Sequence, residues 1–158
     1  MLLSIRPRFA ESIVAGTKRA EIRRQRPGVQ PGTPVIIYAT LPVAAVIGTA
    51  RIADITEGTP AEVWARHKTQ VGLNRAEFDR YLQGAVTAYI LLLADARRLA
   101  TPLTLEQLRT TEDFQPPQSY LYLTRSRLHK LVNGHPEGGP LLDLMSAKAA
   151  MISLFRFI

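Results

Sequence analysis

The amino-acid sequence predicts an α+β fold, a small closed mixed β-barrel with short helices packed around it. Several segments rich in β-branched and aromatic residues alternate with short amphipathic segments, which is typical of strands interleaved with helices. The chain contains 11 Pro and 10 Gly, and many of them stand where such strands would have to bend into a barrel. The alternation is too irregular for a doubly wound parallel sheet. No phosphate-binding loop is present either, because Gly138-Gly139 lacks the flanking Lys and Ser/Thr.

The N-terminal part of the chain predicts three strands and one helix. The apolar run 2–5 is a short strand that ends before Pro7, and Pro7 suits the first position of a helix over 8–15. A strand is expected at 18–24, where polar and apolar residues alternate, and another at 34–40, where the run is almost wholly apolar.

The middle of the chain predicts two further strands and two helices. A strand is expected at 44–55, in which Gly48 marks a bulge or a close approach of the backbone. Thr59 begins a helix as its N-cap, because Pro follows at the first helical position and Glu at the third. A second helix is expected at 74–82, and the β-prone run 85–94 is a candidate central strand.

The C-terminal part predicts helices that follow an ordered loop. A helical turn is expected at 105–108, an ordered loop at 116–120 and an amphipathic helix at 121–132. Residues 133–140 form a polar segment with Gly and Pro. The largely apolar residues 141–158 close the chain as either a helix or a strand.

The composition predicts one globular domain and excludes several kinds of site. The chain has 158 residues, of which 46% are hydrophobic and 21% charged, so it can bury a sizeable core. It has no Cys, which excludes a disulfide framework, a thiolate metal site and a cysteine nucleophile. The three His residues share no helical spacing with carboxylates, so we expect neither a metal ion nor another cofactor.

The apolar runs of the chain are short. The run at 1–3 is followed almost at once by charge, which is unlike a signal peptide, and the run 89–94 falls well short of a membrane span. We therefore expect a cytoplasmic protein that does not bind membranes.

Basic residues are concentrated near the N-terminus. The net charge is +7, and the whole chain has 20 Lys and Arg against 13 Asp and Glu. Up to residue 26 the only acidic residues are Glu11 and Glu21. Such a cluster favours a polyanionic partner such as a nucleic acid, since each neutralised phosphate releases counterions. Its members are Arg6, Arg8, Lys18, Arg19, Arg23, Arg24 and Arg26.

Part of this basic cluster forms a spaced motif. The pattern G-x-K-x-x-E-x-R is met by Gly16, Lys18, Glu21 and Arg23. Downstream, the strand at 35–40 reads VIIYAT and the loop at 116–120 reads PPQSY. With the motif and these two segments in this order, the sequence resembles the ASCH domain family, which is named for activating-signal-cointegrator homology.

The resemblance implies a PUA-like β-barrel with a helix-flanked cleft that binds RNA, so RNA or another single-stranded nucleic acid is the expected partner. It covers residues 1–123, and we expect 124–158 to be a helical or strand-like C-terminal extension packed on the same domain. Some family members are ribonucleases, and one group deacetylates N4-acetylcytidine with a Lys, a Thr and a Glu around the motif. Here Lys18 keeps the Lys, but Glu21 stands at the position of the Thr. The stretch 70–72 has no Glu, so we expect weak or no deacetylation.

The motif can also be interpreted without the family. On a strand, Glu21 and Arg23 project from one face and can pair, so that the remaining guanidinium donors point into a cleft. The alternative is an exposed ion pair that contributes little; the motif favours a site. Tyr38 is either a base-stacking residue or a core tyrosine, and the polar side chains at 118–119 either bind bases or stabilise a turn. The predicted nucleic-acid-binding residues are Arg6, Lys18, Arg19, Glu21, Arg23, Arg24, Tyr38, Gln118 and Ser119.

Three functions are compatible with these residues. The first is a non-catalytic module that binds RNA at the basic cleft around the motif. The second is an enzyme, either a ribonuclease or a hydrolase of a modified nucleoside, with Lys18 and Glu21 as acid/base candidates. The third is a regulatory domain whose basic face binds an acidic protein. RNA affinity that falls with salt favours the first, turnover the second, and salt-insensitive protein binding the third.

Overall fold

The computed structural model describes the backbone of residues 1–155 and the side chains of residues 1–146. Within these residues the strands are β1 (Leu2–Ile5), β2 (Ala20–Arg23), β3 (Pro34–Ala39), β4 (Ala45–Gly58), β5 (Ala88–Thr104) and β6 (Tyr120–Leu121). The helices are α1 (Pro7–Val14), α2 (Pro60–His67), α3 (Arg75–Tyr81), α4 (Leu105–Leu108), α5 (Arg125–Leu131) and α6 (Gly138–Phe155).

The strands form one mixed sheet that curls into a half-barrel, in the order β2-β5-β4-β3-β1-β6. β1 and β3 are parallel, and the other neighbouring strands are antiparallel. The prediction of an α+β fold with a mixed barrel and helices around it is confirmed. Closure is incomplete, however, because β6 has only two residues and no ladder joins it to β2 in the described part of the chain. We call the gap between these two edge strands the seam.

Three hydrophobic clusters hold the helices against the sheet. The first includes Leu3 of β1 and Ile13 of α1. The second includes Leu2 and side chains from α4, α5 and α6. The third joins Ile22 of β2 to Phe78 of α3. Successive residues of β1 therefore enter different clusters, which explains why this strand is buried throughout and reads as a continuous apolar run.

β5 is longer than the sequence predicts. It begins at Ala88 and continues to Thr104, whereas the expected strand covered 85–94. Its second half pairs with β4 as far as Ala45, opposite Thr104. Most residues of that half are exposed, so it lacks the apolar run by which a strand is recognised from sequence.

The helix expected at 121–132 begins later than predicted. Leu121 belongs to β6 and pairs with Leu2. Thr124 then caps α5, because its side chain accepts a hydrogen bond from the backbone N–H of Arg127 at 3.1 Å. The segment is therefore a short strand followed by a shorter helix.

α6 resolves whether the C-terminal segment is a helix or a strand: residues 141–155 are helical, and 156–158 lie outside the described residues. The helix already begins at Gly138, inside the expected polar segment. Leu131 of α5 and Leu141 of α6 lie in the second cluster together with Leu2 of β1. None of the helices in the described part of the chain has the length and apolar character needed to cross a membrane.

Candidate nucleic-acid interface

A cavity of about 600 Å³ opens beside the seam. Its apolar walls come from the first cluster (Ile5, Phe9) and the third cluster (Ile22, Leu73). Concave sites with apolar walls and a few converging polar groups are the usual form of ligand sites. The polar lining residues are Ser4, Arg6, Lys18, Glu21, Arg23, Thr40, Glu77, Arg80, Tyr81, Gln118 and Ser119.

Lys18 is a buried cation whose side chain is 3% exposed. Its Nζ donates to the carbonyls of Ala20 at 2.8 Å and Val71 at 2.5 Å, and lies 3.2 Å from Glu21 Oε2. These acceptors occupy all three N–H groups of the ammonium. At Gly72, whose φ is +68°, a Cβ would lie 3.2 Å from Lys18 Cδ. Glycine thus provides both the left-handed backbone and the space beside the lysine stem.

Glu21 joins Lys18 to Arg23. While Oε2 faces Lys18, Oε1 lies 3.2 Å from Arg23 Nη2, and the Glu21 side chain is 14% exposed. The expected pairing of Glu21 with Arg23 is therefore present, and it is largely buried. We call these three residues the triad; with two cations and one carboxylate, its net charge is +1.

Arg23 bridges the seam. Its Nη1 donates to Ser119 Oγ at 2.7 Å, and the carbonyl of Ser119 accepts from the backbone N–H of Ser4 at 2.9 Å. A side chain from one edge strand of the sheet is thereby tied to the loop that precedes the other edge strand. The fixed φ angles of the two prolines at 116–117 restrict this loop.

Two buried polar atoms beside this bridge have no hydrogen-bond partner among the described residues: Ser4 Oγ and Arg23 Nε. Ser4 is 6% exposed and Arg23 is 8% exposed. Leaving a buried donor unsatisfied costs roughly 1–3 kcal/mol, and folded proteins rarely do so without a reason. Both residues line the cavity.

The charged groups that line the cavity are positive in sum. Two carboxylates stand against four cations, which leaves a net charge of +2. Glu77 belongs to α3, and hydrogen bonds from the backbone N–H of Asn74 and from Arg8 lower the pKa of its carboxyl. The cations are Arg6, Lys18, Arg23 and Arg80, and the carboxylates are Glu21 and Glu77.

Of the nine predicted nucleic-acid-binding residues, three do not line the cavity. Arg19 is exposed and donates from Nε to the carbonyl of Gly16 at 3.3 Å. Arg24 is exposed and donates to two backbone carbonyls near the end of α3. Tyr38 is 2% exposed in the second cluster, so it is a core tyrosine rather than a base-stacking residue, and burial raises its pKa. The six that line it are Arg6, Lys18, Glu21, Arg23, Gln118 and Ser119.

Other lining residues are missed by sequence reasoning. Glu77, Arg80 and Tyr81 of α3 line the cavity. They reach it because Phe78 of the same helix packs in the third cluster, a contact that no spacing in the sequence indicates. Tyr81 Oη donates to the carbonyl of Ile22 at 3.2 Å, and burial raises the pKa of this phenol. Ser4 did carry a signal, since it is a lone polar residue in an apolar strand. Among the described residues, no group of three or more His, Asp or Glu is placed to hold a metal ion.

A mixed half-barrel with a basic cavity at its seam places the protein among small α+β domains with a site suited to an anionic ligand. Comparison with known proteins identifies the family. The sequence model of the ASCH domain matches residues 3–114, and the chain belongs to the ASCH domain family. An ASCH domain-containing ribonuclease of Zymomonas mobilis is 35% identical over 133 residues, which cover 84% of this chain and 89% of that protein.

Solved structures are similar as well. The crystal structure of ASCH from Zymomonas mobilis has a TM-score of 0.79 at 35% identity, with 84% of this chain and 93% of that chain covered. The crystal structure of a tyrosine-to-phenylalanine variant of the Zymomonas mobilis protein also has a TM-score of 0.79, at 34% identity, with 84% and 96% covered. The resemblance noted from the motif is thus confirmed.

Proposed function

We propose that the protein binds RNA in the cavity beside the seam. The observation that carries the proposal is the buried triad, which fixes the Arg23 guanidinium at the wall of a positively charged cavity. Since the donors of Arg23 are fixed before the ligand arrives, binding loses little side-chain entropy. RNA is the polyanion that best agrees with the family and with the ribonuclease relative.

The rim of the cavity supports the same proposal. Arg6 and Arg80 are exposed cations that line it, so they can meet phosphates without leaving water. Gln118 is also exposed at the rim and offers both an amide donor and a carbonyl acceptor to a base. We infer that the rim attracts the chain of the nucleic acid and that the buried part accepts one group of it.

A salt series tests the proposed function. Affinity for a single-stranded RNA should fall linearly with the logarithm of salt concentration, and each phosphate contact adds about 0.7 to the slope. Arg80→Gln should lower this slope by about one contact. Arg66→Gln is the matched control, because it removes an equal charge from α2 at an exposed position that does not line the cavity. No binding at low salt, or equal slopes for both variants, would contradict RNA binding at this site.

Ribonuclease activity is a second candidate function, favoured by the name of the 35% identical relative. The triad gives little support to the acid/base roles considered for Lys18 and Glu21. All three N–H groups of Lys18 are engaged, and each Glu21 oxygen faces a cation. We therefore expect any cleavage to rely on other groups of the cavity. Time courses with labelled RNA would check this, since activity that survives Lys18→Met excludes Lys18 as an acid or base.

Weak or absent deacetylation of N4-acetylcytidine stays a prediction. The triad disfavours this reaction, because Glu21 stands at the position of the catalytic Thr and is held in two ion pairs. The loop at 70–72, where a Glu would be required, instead anchors β2: the carbonyl of Gln70 accepts from the N–H groups of Arg19 and Ala20. A protein partner for the basic face and a cytoplasmic location likewise stay predictions.

A further inference from the structure

We propose that the buried part of the cavity is a subsite for one phosphate group of the bound RNA. Its ligands are the Nε–H of Arg23 and the hydroxyl of Ser4. The inference rests on the proposed function and names the part of the nucleic acid that enters. We call this place the seam subsite; it is bounded by Ser4, Arg23 and Ser119.

The first argument is the hydrogen-bonding chemistry of the two unpartnered atoms. Arg23 Nε can only donate, and Ser4 Oγ can donate. Both residues contact Ser119. Arg23 Nη1 donates to the Ser119 hydroxyl at 2.7 Å, and the backbone N–H of Ser4 donates to the Ser119 carbonyl at 2.9 Å. The two residues therefore both lie beside Ser119, and both line the cavity. Phosphate oxygens are strong acceptors and match such a pair, whereas the edge of most bases presents donors as well as acceptors.

The second argument is the charge that surrounds the donors. The triad retains one positive charge, and nothing else that lines the seam subsite is charged. Glu21 is already included in this sum, and each of its oxygens faces Lys18 or Arg23 at 3.2 Å. A phosphate would neutralise the remaining charge, while a neutral base would leave it buried without a counterion.

The third argument is the position of α1. The helix begins with Arg6 as N-cap, no side chain caps its N-terminus, and its first turn contains no acidic residue. Arg6 and Phe9 of this turn line the same cavity. Pro7 has no N–H group, and the N–H groups of Phe9 and Ala10 donate to the carbonyl of Arg6, so it is the helix dipole that favours an anion at this end. This positive end supports the two unpartnered donors, which carry the proposal.

Inorganic phosphate is the probe that tests the subsite directly. Titration by calorimetry should detect binding to the parent protein, and Ser4→Ala should weaken it by about tenfold, as expected for one hydrogen bond to a charged group. Ser126→Ala is the matched control on the exposed side of α5 and should bind phosphate like the parent. Thermal melts add a second readout. Without phosphate, Ser4→Ala should melt no lower than the parent, because it removes an unsatisfied buried hydroxyl.

Two oligonucleotides identify the source of the phosphate. If it is a terminal monoester, a 5′-phosphorylated RNA should bind more tightly than its 5′-hydroxyl counterpart, and Ser4→Ala should abolish that difference. If it is an internal diester, both RNAs should bind equally, inorganic phosphate should compete with both, and Ser4→Ala should weaken both.

The outcomes also separate this inference from the proposed function. RNA that binds the parent and Ser4→Ala equally, without competition by phosphate, would overturn the seam subsite and leave RNA binding intact. Phosphate that binds in a Ser4-dependent way while no RNA binds would support an anion site and overturn RNA binding. Absence of any phosphate binding to the parent would overturn the subsite by itself.

Discussion

At the residue scale, Glu21 is the group on which the candidate site depends. It is an acidic residue in the most basic part of the chain, and it compensates two buried cations at once. Breaking a buried ion pair from one side leaves an uncompensated charge, which is far more costly than losing an exposed pair. Glu21 is therefore expected to stabilise the fold and to orient Arg23 for a ligand.

Glu21→Gln should weaken RNA binding although it raises the net charge from +7 by one. We expect about a tenfold rise in the dissociation constant, since Arg23 loses a charged partner that fixes it. The free energy of unfolding should fall by about 3 kcal/mol. Filter binding and chemical denaturation measure the two effects.

Glu57→Gln is the matched control for this change. It alters the net charge equally, but Glu57 is 60% exposed and its Oε2 lies as far as 4.0 Å from Arg26 Nη1. Loss of such an exposed pair should change stability little. If the basic face binds RNA without a shaped site, both variants should bind slightly more tightly. Tighter binding by Glu21→Gln would therefore rule out a site organised by Glu21.

At the element scale, the packing of α1 on the sheet depends on the absence of a side chain at Gly48. The register between β4 and β5 shifts beside this residue, as the expected bulge or close approach requires. A Cβ at Gly48 would lie 2.3 Å from Val14 Cγ1 and 2.5 Å from the carbonyl oxygen of Arg97. One neighbour is the side chain of a helix and the other is backbone, so only the first can move at low cost.

Gly48→Ala should lower the free energy of unfolding by about 3 kcal/mol, the upper end of ordinary overpacking. Adding Val14→Ala should restore only part of the stability, because the carbonyl of Arg97 stays in place. Gly139→Ala is the control, since nothing lies within 4 Å of the added methyl group and Ala favours a helix. Equal stability of Gly48→Ala and the parent by urea denaturation would show that β4 can move away from α1.

The start of α3 should contribute to acid sensitivity. Hydrogen bonds from the Asn74 backbone and from Arg8 hold the pKa of Glu77 below its ordinary value of 4.5. The stability that it provides is thus complete above pH 4.5 and is lost as pH falls through the lower pKa of the folded state. Glu77→Gln keeps the capping geometry but removes this charge, so unfolding free energy should depend less steeply on pH below 4.5. Glu106→Gln, at the start of α4, is the control; identical acid profiles for Glu77→Gln and the parent would contradict the role of Glu77.

At the scale of the whole molecule, we propose that residues after 123 belong to the same cooperative unit as the family domain. Leu131 and Leu141 lie in the second cluster with Leu2 and Tyr38 of the sheet. The family match itself ends at residue 114. Removal of the later residues would therefore expose part of the sheet that the family domain does not cover by itself.

Leu131→Ala tests this cooperativity. Leu131 is 3% exposed, so the substitution should cost about 2–5 kcal/mol. Fluorescence of the single Trp monitors unfolding of a different part of the molecule. Trp64 packs on Phe78 in the third cluster, with 4.9 Å between the ring centroids. Its fluorescence transition should shift together with the circular dichroism transition. Leu41→Ala, at a residue 78% exposed, should shift neither; an unchanged Trp64 transition in Leu131→Ala would place the extension in a separate unit.

The sequence by itself determined the local elements and the family. The Thr59 and Asn74 caps are formed by residues three positions apart, and Gly16 ends α1 with φ +79°. The strand at 34–39 follows from its apolar run, because such patterns act through contacts between near neighbours in the chain. The G-x-K-x-x-E-x-R spacing also placed Glu21 beside Arg23, since both project from one face of a single strand.

Only the tertiary structure decided where the cavity lies and how it is built. Arg23 and Ser119 are 96 residues apart in the chain. Ser4, whose backbone N–H donates to the carbonyl of Ser119, belongs to a third segment, β1. Lys18 becomes an internal ion partner only because the Val71 carbonyl comes to it from the loop after α2. Such positions follow from the order of strands in the sheet and from the packing of α3 on β2. Both depend on burial shared among distant segments, which leaves no period or spacing in any one of them.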